Sequence, residues 1–182
     1  MQVVIKSMKK EILAASALVG IGVAIIALRA KNKPLETVKN VNLEKYQGKW
    51  YEIAAFPQSF EKGCTCTTAE YSLGDNGKIE IKNSCIKDGK TKVATGKASV
   101  ADKKTNAKLN VTFFRPFSGK YWIIALAPDY SYTVVGHPNR KYLWILGRKP
   151  KMDSMTYNHL VLQAANKGFD IRKLVKTVQD IA

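Results

Sequence analysis

The sequence predicts an all-β fold: an eight-stranded antiparallel up-and-down β-barrel with one C-terminal α-helix, preceded by an N-terminal apolar helix. Three observations predict it. Residues 41–182 hold eight short runs in which apolar and polar residues alternate, each ended by turn chemistry. The connections between runs are mostly too short for crossover helices, so neighbours are antiparallel. One stretch with helical periodicity follows the last run. Eight strands have two economical outcomes, a sandwich or a closed barrel. Closure removes both exposed edges and leaves an interior wide enough for one small ligand.

The chain divides by composition into residues 1–30, 31–40 and 41–182. Lys6, Lys9 and Lys10 precede an uncharged apolar run, residues 12–28. A basic region before an apolar core is the pattern of a secretory signal. The run spans about 25 Å as a helix against a hydrocarbon core of roughly 30 Å, and Lys10 and Arg29 can snorkel to extend it. Ala27-Leu28-Arg29-Ala30 is a poor cleavage site, which favours an uncleaved anchor over a cleaved signal. No cysteine precedes Cys64, so no lipid-modified cysteine is available in this region. Basic residues flank the run on both sides and set no orientation. Residues 31–40 read as a polar tether in which Pro34 discourages helix.

The runs are residues 48–56, 65–73, 78–85, 91–101, 107–114, 120–127, 131–136 and 141–147. Gly74–Gly77, Lys87–Gly89, Asp102–Asn106, Pro116–Gly119, Pro128–Asp129 and His137–Asn139 separate the later ones. Parity places Ala69, Tyr71, Leu73, Ile79 and Ile81 on one face, opposite Glu70, Ser72, Glu80 and Lys82. Leu109, Val111 and Phe113 likewise oppose Lys108, Asn110 and Thr112. The fourth run carries Ala94, Gly96, Ala98 and Val100 on one parity. Such small residues leave a cavity unless facing aromatics fill it. Candidate ligand-contacting residues are therefore Tyr71, Ile79, Ile81, Gly96, Ala98, Leu109, Val111 and Phe113. Asp153 or Ser154 caps the helix, Met155, Leu160, Leu162 and Ala165 form its apolar side, and Gly168 ends it. Residues 174–178 can add a short strand.

The net charge is +16. Lys78, Lys82, Lys87, Lys90, Lys92 and Lys97 mostly alternate with apolar residues, as on a solvated strand face, and can attract anionic lipid. No nucleic-acid-binding motif accompanies them. If the second and third runs fold back at residues 75–77, Cys66 faces Cys85 with Cys64 nearby. Either pairing leaves one free thiol, and no fourth ligand completes a metal site. His137 and His159 stand outside any catalytic motif. Glu52 shares the parity of Trp50 and points inward. It either pairs with a lysine or arginine inside the barrel or anchors a polar ligand.

Gly48-Lys49-Trp50-Tyr51-Glu52-Ile53-Ala54 resembles the Gly-x-Trp signature that opens lipocalin barrels. Pro128-Asp129-Tyr130-Ser131-Tyr132 stands where a second motif occurs, with Pro128 in place of its threonine. Tyr142-Leu143-Trp144-Ile145-Leu146-Gly147-Arg148 resembles the third motif. The segment from Phe113 to Trp122 is similar to the bacterial branch of the lipocalin family, related to apolipoprotein D and to plant temperature-induced lipocalins. The resemblance covers residues 41–180. It implies a barrel floor built on Gly48, Trp50, Asp129, Tyr130 and Arg148. Gly48 permits close approach, Trp50 plugs the narrow end, and Arg148 stacks on that ring and binds nearby carbonyls. It also implies a Cys64–Cys85 disulfide, which follows Glu61-Lys62-Gly63, and such a bond suits an exported domain.

The implied function is non-enzymatic, with no cofactor or metal: binding or storing fatty acids or lysophospholipids at a bacterial envelope membrane, in envelope maintenance or stress response. The partners are the lipid and, through residues 1–30, the membrane. A homodimer is possible, nucleic acid is not expected, and the barrel lies on the periplasmic or outer side. One alternative is an enzyme using Cys64 or Cys66, as prostaglandin D synthases use a barrel-mouth thiolate, although only Lys62 is near to activate it. The other is a pigment or haem carrier, for which no histidine is suitably placed.

Overall fold

The structure, a computed structural model, describes residues 33–74, 77–114 and 116–179. The apolar run at residues 12–28 lies outside them. Among the described residues no helix is long and apolar enough to cross a membrane.

Asn42 opens the barrel by capping a one-turn helix, α1 (Leu43–Tyr46), where its side chain accepts from the Lys45 amide. Eight strands follow: β1 (Gly48–Ala55), β2 (Thr65–Leu73), β3 (Ile79–Lys87), β4 (Lys90–Val100), β5 (Lys108–Phe114), β6 (Phe117–Leu126), β7 (Tyr132–Gly136) and β8 (Leu143–Gly147). Each pairs antiparallel with the next, and β8 pairs with β1, so the sheet closes. β6 begins three residues earlier than the sequence suggests. Phe114 pairs directly with Phe117, which shortens the turn. A ninth strand, β9 (Val175–Lys176), pairs with β1 at Ala54 and Ala55, beyond the stretch of β1 that pairs with β2.

The alternation read from sequence separates two cores. Trp50, Tyr71, Ile81, Leu109, Ile123 and Val135 pack inside the barrel. Ile53, Ile124, Val134, Ile145, Leu160 and Phe169 pack outside it, beneath the helix α2 (Ser154–Asn166). Asp153 caps α2 by accepting from the Thr156 amide at 2.8 Å, and Gly168 ends it with φ +86°. Leu160, Ala164 and Ala165 are buried, whereas Met155 and Leu162, expected on the same side, are exposed. Leu162 sits about 200° around the helix from Leu160, so one wall cannot cover both.

Residues 33–40, the described part of the segment 31–40 read as a tether, lie against the barrel together with the two residues that follow. Leu35 joins the outer core, the Val38 amide donates to the Ile123 carbonyl at 3.0 Å, and the Val41 amide donates to that of Thr105 at 2.8 Å. Arg140, in the β7–β8 loop, donates to the Lys33 carbonyl at 2.6 Å. The segment therefore starts beside the β7–β8 loop and runs along the wall to the opposite end.

Candidate functional site

The end of the barrel formed by α1 and the start of β1 is plugged. Trp50 is fully buried, and its indole N–H donates to the Tyr46 carbonyl at 2.9 Å. The Arg148 guanidinium stacks 3.7 Å above the indole. It also donates to the carbonyls of Lys45 and Lys49 at 2.9 Å and to those of Tyr46 and Tyr130 at 3.3 Å. The end of β8 is thereby tied to α1, β1 and the β6–β7 turn. Gly48 has φ +87°, and a Cβ there would sit 3.5 Å from that guanidinium. Tyr130 takes φ +61° in the turn, and its hydroxyl accepts from the Asn42 amide at 2.8 Å. Asp129 holds the turn by accepting from the Ser131 amide at 3.0 Å. These five residues form a structural clasp.

Above the clasp the inner wall is apolar. Tyr71, Ile79, Ile81, Ala98, Leu109 and Val111 share one buried cluster. The Tyr121 hydroxyl lies 2.9 Å from those of both Tyr46 and Tyr71, so the phenols satisfy one another. Burial pushes the Tyr46 phenol up to about 12. At the small-residue parity of β4, Ala98 is buried and Ala94 is exposed. The space at Gly96 is taken by an aromatic ring: an added Cβ would lie 2.8 Å from Phe113 Cδ1 and 2.9 Å from the Thr112 carbonyl oxygen. Facing aromatics therefore fill this part of the track. Phe113 itself remains 43% exposed toward the mouth.

Nearer the mouth, a void of about 40 Å³ is lined by Glu52, Glu61, Thr67, Ala69, Asn83 and Trp144, among others. Glu52 points inward, but among the described residues it meets no lysine or arginine. Its Oε1 accepts from the Thr177 hydroxyl instead. Burial raises the Glu52 carboxyl, opposed by that hydrogen bond. Burial raises the Glu61 carboxyl to about 8, with repulsion from Glu52 adding to the effect. Among the described residues, none hydrogen-bonds the buried Asn83 Oδ1. Sequence reading missed Glu61, Thr177 and Tyr121. Tyr121 was within reach of the parity of β6, but Glu61 lies in a loop and Thr177 in the C-terminal segment, where no periodicity marks them.

A larger recess, about 690 Å³, crosses β2–β5. Its charged lining, Glu70, Glu80, Lys82 and Lys97, has the parity opposite to Tyr71, Ile79, Ile81 and Ala98. It is a feature of the outer surface and not the barrel chamber.

The disulfide joins Cys64 to Cys85, with Cα atoms 5.6 Å apart, and Cys66 is free. Simple hairpin register would set Cys66 opposite Cys85. The hairpin instead pairs Thr68 with Ser84 through Leu73 with Ile79, one position off that register, and a bulge between Thr65 and Thr68 interrupts the pairing at Cys66, which takes φ +52° and whose amide donates to the Val178 carbonyl at 2.7 Å.

Residues 41–179 match the family model described as a lipocalin-like domain. The chain is 42% identical to temperature-induced lipocalin-1 of Arabidopsis thaliana over 158 residues, covering 82% of this chain and 85% of that protein. It is 36% identical to the outer membrane lipoprotein Blc of Escherichia coli K12 over 155 residues, covering 83% and 88%. The solved structure of insecticyanin from the tobacco hornworm Manduca sexta superposes with a TM-score of 0.67 at 24% identity, covering 82% of this chain and 86% of that one. That last likeness concerns the fold.

Proposed function

The chain belongs to the lipocalin family, and from that premise we propose that it is a non-enzymatic binding protein that takes up fatty acids or lysophospholipids at a bacterial envelope membrane. The supporting observation is the asymmetry of the barrel. One end is closed by the Trp50–Arg148 clasp, while at the other the first half of β4, residues 90–95, is exposed on both faces. Between them Ile79, Ile81, Ala98, Leu109 and Val111 give the inner wall an apolar stretch. An acyl chain entering there leaves water at a gain of roughly 0.8 kcal/mol per buried CH₂. The similarity to an outer membrane lipoprotein supports the envelope setting.

The void of about 40 Å³ is far below the roughly 300–1,000 Å³ of ordinary ligand pockets. Uptake therefore requires a side chain to move, and Phe113, half-exposed and lying over Gly96, is the one to swing out. The acyl chain then follows Ala98, Ile81, Leu109 and Val111. The lining at Glu52 and Glu61, where burial already disfavours ionised carboxyls, offers no positive charge to a buried carboxylate, so a fatty acid keeps its carboxylate near the exposed lysines of the open end.

Titration of the delipidated full-length protein with a fluorescent long-chain fatty acid tests the reading. Saturable one-to-one binding, displaced by lysophospholipid and tightened by Phe113→Ala, is the expected result. Absence of saturable binding by the unaltered protein overturns it.

A further inference from the structure

The open end of the barrel differs from the closed end in its aromatic surface, its charge and its place in the chain path. Phe60, in the β1–β2 loop, is 67% exposed, and Phe114 and Phe117, at the β5–β6 tip, are 78% and 73% exposed. On the strand ends and turns of the closed end, Leu73 at 36% is the one comparable apolar side chain among the described residues. Large rings held in water on two tips of one rim are characteristic of an interaction surface. Aromatic rings of this kind also suit the boundary between lipid headgroups and acyl chains.

Lysines surround these rings. Lys62, Lys90, Lys92, Lys120 and Lys141 are exposed on the loops and strand ends of the mouth, and Lys87 is half-buried beside them. Gly63 faces Lys87, since a Cβ added there would lie 3.7 Å from Lys87 Cε, so the β1–β2 loop and the β3–β4 tip form one surface. Asp88 and Glu61 are the acidic residues on these tips, and Glu61 is largely protonated at neutral pH. A basic rim studded with phenylalanines complements an anionic bilayer.

The chain path agrees. Lys33 is held by Arg140 in the β7–β8 loop, at the same open end. The apolar run 12–28 stops five positions before Lys33 in the sequence. Anything that run inserts into is therefore brought to the mouth and not to the floor.

We infer that the barrel docks mouth-down on an anionic lipid bilayer through Phe60, Phe114, Phe117 and the surrounding lysines. In this pose a lipid can leave the bilayer for the barrel without crossing water. The surface does not depend on which ligand the barrel holds.

The test uses the full-length protein in vesicles of phosphatidylglycerol and phosphatidylcholine doped with brominated lipid, which quenches tryptophan on contact. Phe117→Trp reports the mouth and Leu73→Trp the floor, each read against the unaltered protein. The floor probe serves as the control for tethering by residues 1–30. The expected result is quenching several-fold stronger at the mouth, weakened by Lys87→Glu with Lys90→Glu and by replacing phosphatidylglycerol with phosphatidylcholine. Equal quenching at both ends, none at the mouth, or no dependence on anionic lipid overturns the inference. Hydrogen exchange on the unaltered chain supplies a check free of substitutions. The β5–β6 tip must slow when anionic vesicles are added, and an unchanged rate there also overturns the pose.

Discussion

Replacing Arg148 with methionine keeps an unbranched side chain of similar reach and removes the guanidinium. Its stack on the buried Trp50 ring, at 3.7 Å, is lost, a contribution of about 0.5–2 kcal/mol for a partly desolvated pair. Two 2.9 Å donations to the Lys45 and Lys49 carbonyls are lost as well. A charged hydrogen bond contributes about 1.5–3 kcal/mol, but both carbonyls lie where water can replace the donor, so about 1 kcal/mol survives as a net cost for the two together. The Tyr46 carbonyl still accepts from the Trp50 indole and is not orphaned. The expected destabilisation is about 1.5–3 kcal/mol, which for a domain of this size lowers the melting temperature by about 3–12 °C. Near-ultraviolet circular dichroism during thermal unfolding reads it directly. Arg148→Lys retains charge without the planar fork and should fall between the two. A loss below about 1 kcal/mol for the methionine variant, or wild-type stability for the lysine variant, would refute the clasp as a stabilising unit.

Glu61 carries a carboxyl raised from 4.5 to about 8 in the folded protein. The folded state thus binds the extra proton, and the stability from this group is full below about pH 4.5, declines as pH rises, and is gone above about pH 8. Urea midpoints at pH 5 and pH 8.5 should differ less in Glu61→Gln than in the unaltered chain, and an unchanged difference would exclude Glu61 as the source. Cys85→Ser should cost about 3 kcal/mol by opening a loop with a sequence separation of 21, whereas Cys66→Ser should cost less than about 1 kcal/mol; chemical unfolding separates the two outcomes. Gly96→Leu must displace the Phe113 ring and press on the Thr112 carbonyl, and should destabilise the barrel by about 1–3 kcal/mol. An equally stable variant would place open space where the ring now sits. Truncation after residue 30 should release a soluble barrel, and truncation after residue 40 should remove the buried Leu35 and cost a further 2–4 kcal/mol or so. Equal melting temperatures for the two truncations would show that the segment contributes nothing to stability.

The alternation of residues such as Glu70, Tyr71 and Ser72 determines by itself which side of a strand is buried, because strand side chains alternate with a period of two. Short connections make neighbouring strands antiparallel, and Asp153 and Gly168 mark the helix ends through local backbone chemistry. The motif residues Gly48, Trp50 and Arg148 were legible through their resemblance to lipocalin motifs, and their residue types suit a crowded floor, a plug and a fork of donors. Local pattern stops where the answer depends on what approaches from elsewhere in the chain. The disulfide partner is Cys64 because the hairpin register lies one position from the one the turn residues suggest and a bulge, not visible as periodicity, interrupts it at Cys66. Glu52 is met by Thr177 and Glu61, which lie 125 and nine positions away, and not by the base that its charge alone would suggest. Leu162 is apolar yet exposed, because helix geometry brings only one stripe to the wall. Gly96 is small, but only the fold shows that Phe113 occupies the space it leaves. Parity is a property of the strand, whereas cavity, charge partner and exposed rim belong to the closed sheet, which brings residues far apart in sequence within a few ångströms of one another.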